Sequence, residues 1–233
     1  MCGRASLSKT EKELEERFDA GFYSEDLLRY KPLPNYNVAP SHFMPVILNQ
    51  DKSHFSPVRW GFIPFWAKDK NIGYKMINAR IESALEKNSF KKSFENKRCL
   101  VPADGFYEWK KTGKSKQPFR ILLRDESIFT FAGLWSKWTS PEDGTEVLSF
   151  TIMTQEPNAL VKEIHDRMPV ILRKDHEEAW LDKDVSPAEL IKLLEPYPED
   201  EMKAYPVSDR VNKVSNNDAE LIQPNNSEQG SLF

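Results

Sequence analysis

Short apolar runs separated by proline and glycine restrict this chain to a fold built largely from short strands. The runs are rich in β-branched and aromatic residues, a composition typical of strands. Proline fixes φ and extends the residue before it, so Pro32, Pro34 and Pro40 enforce a loop ahead of the first run. The spacing of the runs predicts a largely antiparallel, barrel-like core. The predicted strands are Met44–Leu48, Phe55–Trp60, Arg98–Val101, Phe119–Leu123, Ile128–Trp135 and Val147–Thr154.

Four segments have helical patterns, and together with the strands they predict an α+β fold. Ser8-Lys9-Thr10-Glu11 has the spacing of a capping box and predicts a helix over residues 9–20. Ser186-Pro187-Ala188-Glu189 has the same spacing and predicts a helix that ends near Glu195. The other two predicted helices are Arg80–Lys92 and Glu156–His165, the second with Pro157 in its first turn.

The length of the chain fits one domain with a sizeable core, since it has 233 residues and 39% hydrophobic content. We assign residues 1–222 to this domain and the polar, aperiodic residues 223–233 to a flexible C-terminal tail. No apolar run reaches the ~18–20 residues that span a bilayer, and the start lacks the pattern of a secretory signal. We therefore expect a cytoplasmic protein with no membrane partner. The lack of a heptad seam predicts a monomer.

Basic residues are concentrated in the middle third of the chain. The formal net charge is −3, yet residues 52–120 contain 16 Lys and Arg against 6 Asp and Glu. A basic region of this kind is the electrostatic footprint of polyanion binding, and it would make affinity depend on salt. The alternative is that these lysines only solvate a surface, as charge runs commonly do.

Cysteine and histidine usage argues against a disulfide framework and against a metal site. Cys2 and Cys99 are the two cysteines of the sequence, and they form no C-x-x-C motif. Cys99 lies in an apolar run, which predicts a buried, inert thiol. The histidines lack metal-ligand spacing, so we expect no metal and no cofactor; they are His42, His54, His165 and His176.

Cys2 has distinctive chemistry if Met1 is removed, as initiator methionines are when a small residue follows. The mature chain would then carry an amine and a thiol on adjacent carbons. Reference pKa values of ~7.7–8.0 for the amine and ~8.5 for the thiol put both groups within reach of activation near neutrality. Such a 1,2-aminothiol condenses with an aldehyde to an imine and closes through sulfur to a thiazolidine. The alternative is that Cys2 is an incidental second residue.

Several dense, unusual segments occur along the chain in a fixed order. With these motifs the chain resembles the SRAP family, the SOS-response-associated peptidases that include the abasic-site sensor of human cells and its bacterial counterparts. The resemblance extends from Cys2 to about Pro224. The segments that carry it are Asn37-Val38-Ala39-Pro40, Arg59 to Trp66, Asn78-Ala79-Arg80, Pro102 to Trp109, His165-Asp166-Arg167-Met168-Pro169, Pro206-Val207-Ser208 and Ala219 to Pro224.

The resemblance implies a single α+β domain with a basic cleft for single-stranded DNA and the processed cysteine at its floor. In that family the cysteine attacks the ring-opened aldehyde of an abasic site and forms a thiazolidine DNA–protein crosslink that protects the lesion. Carried over by position, the catalytic group is Cys2, Asn78, Glu108 and His165, with Thr154 nearby. The implied partner is single-stranded DNA that contains abasic sites.

The residue types suit that chemistry. Imine formation needs proton transfers, and Glu108 is a natural shuttle because its aromatic neighbours can raise its pKa. His165 titrates near neutrality and can protonate an oxygen during ring opening or reversal. Asn78 can donate and accept hydrogen bonds without titrating. The acid and base roles of Glu108 and His165 stay open. The structural alternatives are that Glu108 is a strand-surface carboxylate, that Asn78 is a turn residue, and that His165 is a cation at a helix C-terminus.

The DNA-binding residues follow from the resemblance and from the chemistry of phosphates and bases. Arg4 and Arg80 are expected to bind phosphate through bidentate guanidinium groups. Tryptophan can stack on an unpaired base at about 1–3 kcal/mol per contact. We expect Trp135 and Trp138 to be core residues instead. Asn88 falls in a stretch where a relative carries an additional DNA-binding arginine. This difference bears on the affinity for DNA more than on the chemistry of the site. The other expected DNA contacts are Asn37, Pro40, Trp60, Trp66, Trp109 and Thr154.

Two alternative functions stay open at this level. One is an N-terminal-nucleophile cysteine peptidase, whose only substrate is in the narrowest case the Met1 bond of the chain itself. The other is a binder of single-stranded DNA that needs no covalent step, in which Cys2→Ala would leave function intact. The peptidase alternative does not explain the basic middle third.

Overall fold

The computed structural model describes residues 2–30, 32–113 and 115–225, and they form an α+β fold rich in strands. The prediction of an α+β fold around a largely antiparallel, barrel-like core is confirmed. The strands are β1 (Ala5–Leu7), β2 (Gly21–Phe22), β3 (Asn35–Val38), β4 (Phe43–Leu48), β5 (Asp51–Trp60), β6 (Asn78–Arg80), β7 (Arg98–Ala103), β8 (Gly105–Thr112), β9 (Ser115–Leu123), β10 (Phe129–Thr139), β11 (Glu146–Gln155), β12 (Met168–Pro169), β13 (Ile171–Leu172) and β14 (Met202–Pro206).

Five strands close into a barrel. Antiparallel pairings join β5 to β4, β4 to β7, β7 to β10 and β10 to β11. A parallel pairing of β11 with β5, with Ser149 opposite Arg59, completes the ring. Strand β6 adds to the barrel by pairing in parallel with β11. Closure leaves these five strands without a free edge between them, which is how small β-barrels protect their backbone groups.

A second sheet has the order β14-β9-β8-β1-β3 and packs against the barrel. Its pairings are all antiparallel. The ring of Phe106 in β8 meets the ring of Phe131 in β10 edge-on, with centroids 6.1 Å apart. Edge-to-face pairs of this kind contribute about 0.5–1.5 kcal/mol beyond the burial of their area. The residues of the site lie on this second sheet and on the barrel strands and loops next to it.

The helices are short: α1 (Glu11–Phe18), α2 (Ile81–Ala84), α3 (Lys91–Asn96), α4 (Ala159–Lys162), α5 (Glu177–Leu181) and α6 (Pro187–Lys192). The predicted helix over Arg80–Lys92 is wrong as one element, because α2 ends at Ala84 and α3 begins at Lys91. The capping box at Ser186 and Glu189 is confirmed.

The capping box of α1 is two residues later than predicted. Thr10 accepts from the backbone N–H of Glu13, and the Glu13 carboxylate accepts from the Thr10 backbone. Ser8 binds the carboxylate of Asp104 instead. Similarly, Pro157 precedes the N-cap of α4, which is Asn158.

The core contains the two tryptophans predicted for it: Trp135 and Trp138 are 2% and 4% exposed. Cys99 is also fully buried, as predicted, and burial raises the pKa of its thiol. The residues that the structure describes include no helix with the length and apolarity needed to cross a membrane. Of the predicted tail, 226–233 lie outside the described residues.

Candidate active site

Glu108 of the second sheet and Cys2, which precedes that sheet's strand β1, form the buried floor of the candidate site. Cys2 lies just before β1 and is fully buried, with Sγ 3.9 Å from the backbone oxygen of Arg4. Ala5 pairs with Phe106 of β8, so the segment that carries Cys2 runs antiparallel beside β8. Glu108 lies on β8 and is 2% exposed. Strand pairing therefore brings together a thiol and a carboxyl group that are far apart in the sequence.

Burial controls the protonation of this pair. Desolvation, followed by the nearby charge of Glu108, raises the pKa of the Cys2 thiol far above its usual range. Desolvation also raises the pKa of Glu108. Both groups thus favour their neutral forms in a dry site. A carboxyl group that keeps its proton can act as a general acid at a higher pH than an exposed glutamate.

His165 connects the carboxyl group to the barrel side of the site. Its Nε2 lies 3.8 Å from Oε2 of Glu108. Its Nδ1 accepts the backbone N–H of Arg167 at 3.0 Å. The same Nδ1 is 3.0 Å from the carboxylate of Asp166 and 3.2 Å from the backbone oxygen of Arg167, and both of these contacts need a hydrogen on Nδ1. The Nδ1 side of the ring is thus held by the backbone of Arg167 in either tautomer. Nε2 is the ring nitrogen that faces Glu108.

Buried polar atoms without partners are found at Asn78 and Thr154. Strand β6 pairs with β11 so that Asn78 lies opposite Ile152, and Arg80 lies opposite Thr154. Among the described residues, neither side-chain polar atom of Asn78 has a hydrogen-bond partner, nor does the hydroxyl of Thr154. Leaving such a group unpaired costs about 1–3 kcal/mol. Clustered unpaired groups in a native fold indicate a site that a ligand completes.

The predicted catalytic residues are therefore linked by contacts across two parts of the fold. Cys2 and Glu108 come from the second sheet, and Glu108 meets His165 from the loop after α4. Arg167 bonds both the His165 ring and the backbone oxygen of Thr154. Asn78 lies on the strand beside Thr154. The arrangement offers a nucleophilic thiol, a proton-holding carboxyl, an imidazole and an amide with unused hydrogen-bonding capacity.

An exposed aromatic and basic surface lies on the loop after β5 and on the segments that follow. Phe65, Trp66 and Tyr74 are 60%, 51% and 58% exposed. The two ends of this loop approach closely at Gly61 and Gly73. A side chain would prevent this approach, because a Cβ on Gly73 would lie 2.6 Å from the Gly61 oxygen. Trp66 and the exposed Arg80 are thus available to a polyanion, and Pro40 is half-buried. Sequence reasoning assigned no role to Phe65, which lies inside the segment Arg59 to Trp66, or to Tyr74, which precedes Asn78 by four residues.

The structure contradicts the prediction that Trp60 contacts DNA. Its ring is fully buried and stacks on Phe150, with centroids 6.1 Å apart and planes 13° apart. Its Nε1 donates to the backbone oxygen of Ile77 at 3.0 Å. Trp60 ends strand β5 where that strand closes the barrel against β11, so its ring belongs to the barrel core.

Arg4 and Asn37 have protein partners where DNA contacts were predicted. Residues 207–217, which we call the C-terminal strap, pass over β1 and β3. The Asn37 amide donates to the backbone oxygens of Val211, Lys213 and Asn216 at 3.3, 3.2 and 2.8 Å. Arg4 donates to Asn37 and to the same Val211 oxygen. Asn37 is 1% exposed, so the structure contradicts a direct DNA contact for it.

Trp109 is half-buried beside this strap. Its Nε1 donates to the side-chain oxygen of Asn212 at 2.8 Å, and the Arg4 guanidinium lies 5.9 Å from its ring centroid. The indole therefore keeps one open side, and its contact with a base stays a prediction.

Two arginines of the basic middle third are buried and form hydrogen bonds inside the protein. Arg98 is fully buried and donates to the backbone oxygens of Phe94, Glu95, Trp180 and Asp182. Arg120 is 5% exposed, lies 3.4 Å from Asp104 and bonds Ser6 and Tyr205. Most of the others are exposed: Lys52, Lys68, Lys70, Lys75, Arg80, Lys87, Lys91, Lys92, Lys111 and Lys116.

The ion pair between Arg167 and Glu82 was not predicted. The two side chains form a bidentate contact, with Nη1 2.5 Å and Nη2 3.0 Å from the two carboxylate oxygens. Arg167 lies within one predicted motif and Glu82 two residues after another, but the two are 85 positions apart and no local pattern joins them. The part of the chain that the structure describes contains no group of His, Cys, Asp and Glu suited to a metal ion.

A closed barrel and a second sheet that together hold a buried second-residue cysteine beside a glutamate define a class of single-domain α+β proteins. The family model of SOS response associated peptidase (SRAP) matches residues 1–214. The chain belongs to the SRAP family.

Relatives share nearly the whole length of the chain. It is similar to the abasic site processing protein YoaM of Bacillus subtilis, with 47% identity over 97% of this chain and 99% of the relative. It is also similar to the abasic site processing protein YedK of Escherichia coli, with 35% identity over 96% of this chain and 100% of that one. A crystal structure of a Bacteroides thetaiotaomicron protein superposes with a TM-score of 0.90 and 31% identity over 96% of this chain and 100% of that one.

Proposed function

We propose that this protein processes abasic sites in single-stranded DNA by forming a covalent crosslink through Cys2. The observation that carries the proposal is the buried thiol at residue 2 beside the neutral-favouring carboxyl group of Glu108. Relatives that align over nearly the whole chain are named abasic site processing proteins, which supports this substrate. Met1 must be removed first, so that the amine and the thiol belong to one residue.

The proposed reaction starts from the ring-opened sugar of an abasic site, which presents an aldehyde. The Cys2 amine adds to the aldehyde carbon, and proton transfer from nitrogen to oxygen gives a carbinolamine. Loss of water forms an imine. Sγ then adds to the imine carbon, and the thiol proton moves to nitrogen, which closes the thiazolidine ring. One water leaves for each crosslink, and no atom is oxidised or reduced.

Glu108 and His165 serve the proton transfers in this proposal. Loss of water from the carbinolamine needs an acid, and burial raises the pKa of Glu108 so that its carboxyl holds a proton to higher pH. Once it has delivered that proton, the carboxylate can accept the proton of the thiol, which is itself too strongly buried to ionise alone. The His165 Nε2 lies 3.8 Å from Glu108 and can return a proton to it or to the sugar oxygen.

Asn78 and Thr154 bind the sugar in this proposal, because their buried polar atoms have no described protein partner. Arg80 follows Asn78 on β6, is exposed and binds a flanking phosphate. The exposed ring of Trp66 stacks on a base beside the lesion.

The test is denaturing electrophoresis and intact mass measurement after incubation of the Met1-processed protein with a uracil-containing single-stranded oligonucleotide. One arm has the uracil excised and the other keeps it. We expect a heat-stable adduct in the excised arm alone, with a mass equal to the sum of protein and DNA less one water. An adduct of equal yield in the unexcised arm would contradict the proposal.

Three variants assign the atoms. Cys2→Ala loses the thiol, and we expect no heat-stable adduct. Cys2→Ser keeps the amine, so we expect an imine that survives only after reduction with borohydride. Cys99→Ala is the matched control, because Cys99 is equally buried but lies in the core, and its adduct yield should equal that of the wild type. If the protein releases Met1 yet forms no adduct, a peptidase limited to its own N-terminus becomes the better explanation.

A further inference from the structure

We propose that the β8–β9 hairpin binds the DNA backbone beside the lesion, and that Lys110 contacts a phosphate one or two nucleotides from the abasic sugar. The hairpin consists of residues 110–113 and 115–117, and it continues the strand that carries Glu108. This proposal rests on the proposed function, because it takes the face of Glu108 as the place where the sugar lies.

Lys110 shares a face of β8 with Glu108. Side chains alternate along a strand, so Glu108 and Lys110 point to one side of the sheet, and Trp109 and Lys111 point to the other. The indole of Trp109 donates to Asn212, so that other side faces the C-terminal strap. Lys110 is half-buried and lies ~7 Å of strand beyond Glu108. Two nucleotide steps of a stacked strand, at ~3.4 Å each, cover a similar length.

The outer part of the hairpin places two like charges opposite each other. Lys111 pairs with Lys116, and both residues are exposed. Like charges directly opposite in an antiparallel pair are destabilising. Within the part of the chain that the structure describes, Lys110, Lys111 and Lys116 form no ion pair that would offset the repulsion. A polyanion beside these ammonium groups relieves the repulsion, so the arrangement favours the DNA complex over the free protein.

Hydrogen bonds at both ends of the hairpin fix its shape. Gln117, which pairs with Lys110, donates to the backbone oxygen of Val207 at 2.9 Å. At the tip, Thr112 pairs with Ser115, whose hydroxyl donates to the Thr112 oxygen at 2.9 Å. The backbone that carries the lysines is thus ordered before DNA arrives, which lowers the entropy lost on binding.

Lys110 and Arg80 lie on different parts of the fold. Arg80 lies on β6, which pairs with β11 of the barrel, whereas Lys110 lies on the second sheet. Glu108 of that sheet meets His165 from the barrel side, so the candidate site lies where the two parts meet. A DNA strand that passes through the site therefore meets one cation from each part. We expect the two residues to bind different phosphates.

The first experiment measures the binding of an unreactive abasic strand to Cys2→Ala protein, which separates binding from chemistry. The probe is a single-stranded oligonucleotide with a tetrahydrofuran residue in place of the abasic sugar. One neutral methylphosphonate linkage is placed in turn at each of the first three positions on either side. We expect Lys110→Ala to weaken binding of the fully charged probe about threefold at low salt. It should weaken binding no further on the one probe that lacks its phosphate, within two linkages of the lesion.

Lys52→Ala is the matched control for this experiment. Lys52 is also a strand lysine of the basic region and is exposed, but it lies near the start of β5. Its loss should affect all probes equally, and Arg80→Ala should couple with a different linkage from Lys110→Ala. If Lys110→Ala weakens every probe to the same extent, it acts through overall charge alone and the inference is overturned. An unchanged affinity would overturn it as well.

The second experiment tests the pair of facing lysines. Lys111→Gln keeps most of the side chain and removes one of the two charges. We expect the melting temperature of the free protein to rise at low salt, because the repulsion is gone, while the affinity for the probe falls. Both effects should shrink at high salt. A lower melting temperature with unchanged affinity would show a structural role and overturn the role of the pair in binding.

Adduct formation by the wild type distinguishes failure of this inference from failure of the proposed function. If no adduct forms but Lys110 couples with one linkage, the proposed chemistry fails and the contact of the hairpin with DNA stands. If the adduct forms and no linkage couples with Lys110, the hairpin inference alone fails.

Discussion

Burial of Glu108 lets its carboxyl group hold a proton for the proposed reaction, but it also lowers the stability of the fold when that group ionises. Burial raises its pKa, so ionising it in the folded protein costs free energy. Near and below the unfolded pKa of ~4.3 both states hold the proton, and the carboxyl group has no such cost. As pH rises through the higher folded pKa, the native state must bury a charge that the unfolded state leaves in water. Stability from this residue therefore falls with rising pH.

The corresponding prediction concerns Glu108→Gln, which removes the charge and keeps the shape. We expect the melting temperature of the variant to rise relative to that of the wild type as pH rises from 4 to 8. Only the wild type must bury the charge of an ionised Glu108. Melting curves across this range measure the difference. A pH-independent difference would contradict the prediction. The same substitution at the exposed Glu178 should leave the pH profile of stability unchanged.

Single residues also mark the limit of what the sequence could predict. The motif order pointed to Cys2, Glu108 and His165; in the structure Glu108 lies near enough to Cys2 to raise the pKa of its thiol and lies 3.8 Å from His165. The same reasoning placed Trp60 on the surface, but whether an indole faces DNA or the core depends on barrel closure, which brings β11 against β5. Similarly, Asn37 has the polarity of a ligand-binding residue, yet its partners are backbone oxygens from the other end of the chain.

The C-terminal strap is the element that most directly supports the amino-terminal segment. It accepts hydrogen bonds from Asn37 and Arg4, and Asn217 accepts from the backbone of Tyr36 at 2.7 Å. Arg4 lies two residues from Cys2, so the strap fixes the segment in which the thiol lies. Within the strap, Asp209–Asn212 form a short 3-10 helix, and Val207 and Val211 are buried in a small apolar cluster with Tyr107.

The contacts between Asn37 and the C-terminal strap can be removed by one substitution. Asn37→Ala removes the amide that bonds three strap oxygens, and we expect it to lower the free energy of unfolding by about 1–3 kcal/mol. Urea denaturation measures this cost, and amide hydrogen exchange should speed up over 211–217. Asn212→Ala removes a single exposed hydrogen bond with Trp109 and serves as the milder control. An equal cost for the two variants would show that Asn37 has no special role in holding the strap.

Short elements were the hardest to predict from the sequence. Long apolar strands such as β10 and β11 were found, with ends that differ by a few residues. Strands β3 and β6 escaped notice because asparagine and arginine dominate them, and a strand that presents polar groups to a site loses the apolar pattern. The capping box of α1 was misplaced because Ser8 bonds Asp104, a partner distant in sequence.

At the scale of the whole molecule, the basic middle third divides into two populations. Arg98 and Arg120 bind backbone and side-chain groups of the interior, so they are not available for direct contact with a phosphate. Of the exposed cations, Lys68, Lys70, Lys75 and Arg80 lie along the chain between Trp66 and the end of the strand of Asn78, whereas Lys111 and Lys116 lie in the β8–β9 hairpin. The sequence count of charges alone could not make this division, because it depends on which side chains the fold buries.

This division predicts how salt acts on non-covalent binding. With Cys2→Ala protein, the logarithm of affinity for a single strand should fall linearly with the logarithm of salt concentration, with a slope near −0.7 for each phosphate contact. We expect Arg80→Ala and Lys75→Ala each to make the slope shallower by about 0.7, because each removes one exposed cation of the basic region. Lys12→Ala is the control, since Lys12 pairs with Glu16 on α1 outside that region. Equal slopes for Arg80→Ala and Lys12→Ala would mean that DNA approaches a different face, and that the charge bias of residues 52–120 serves only to solvate a surface.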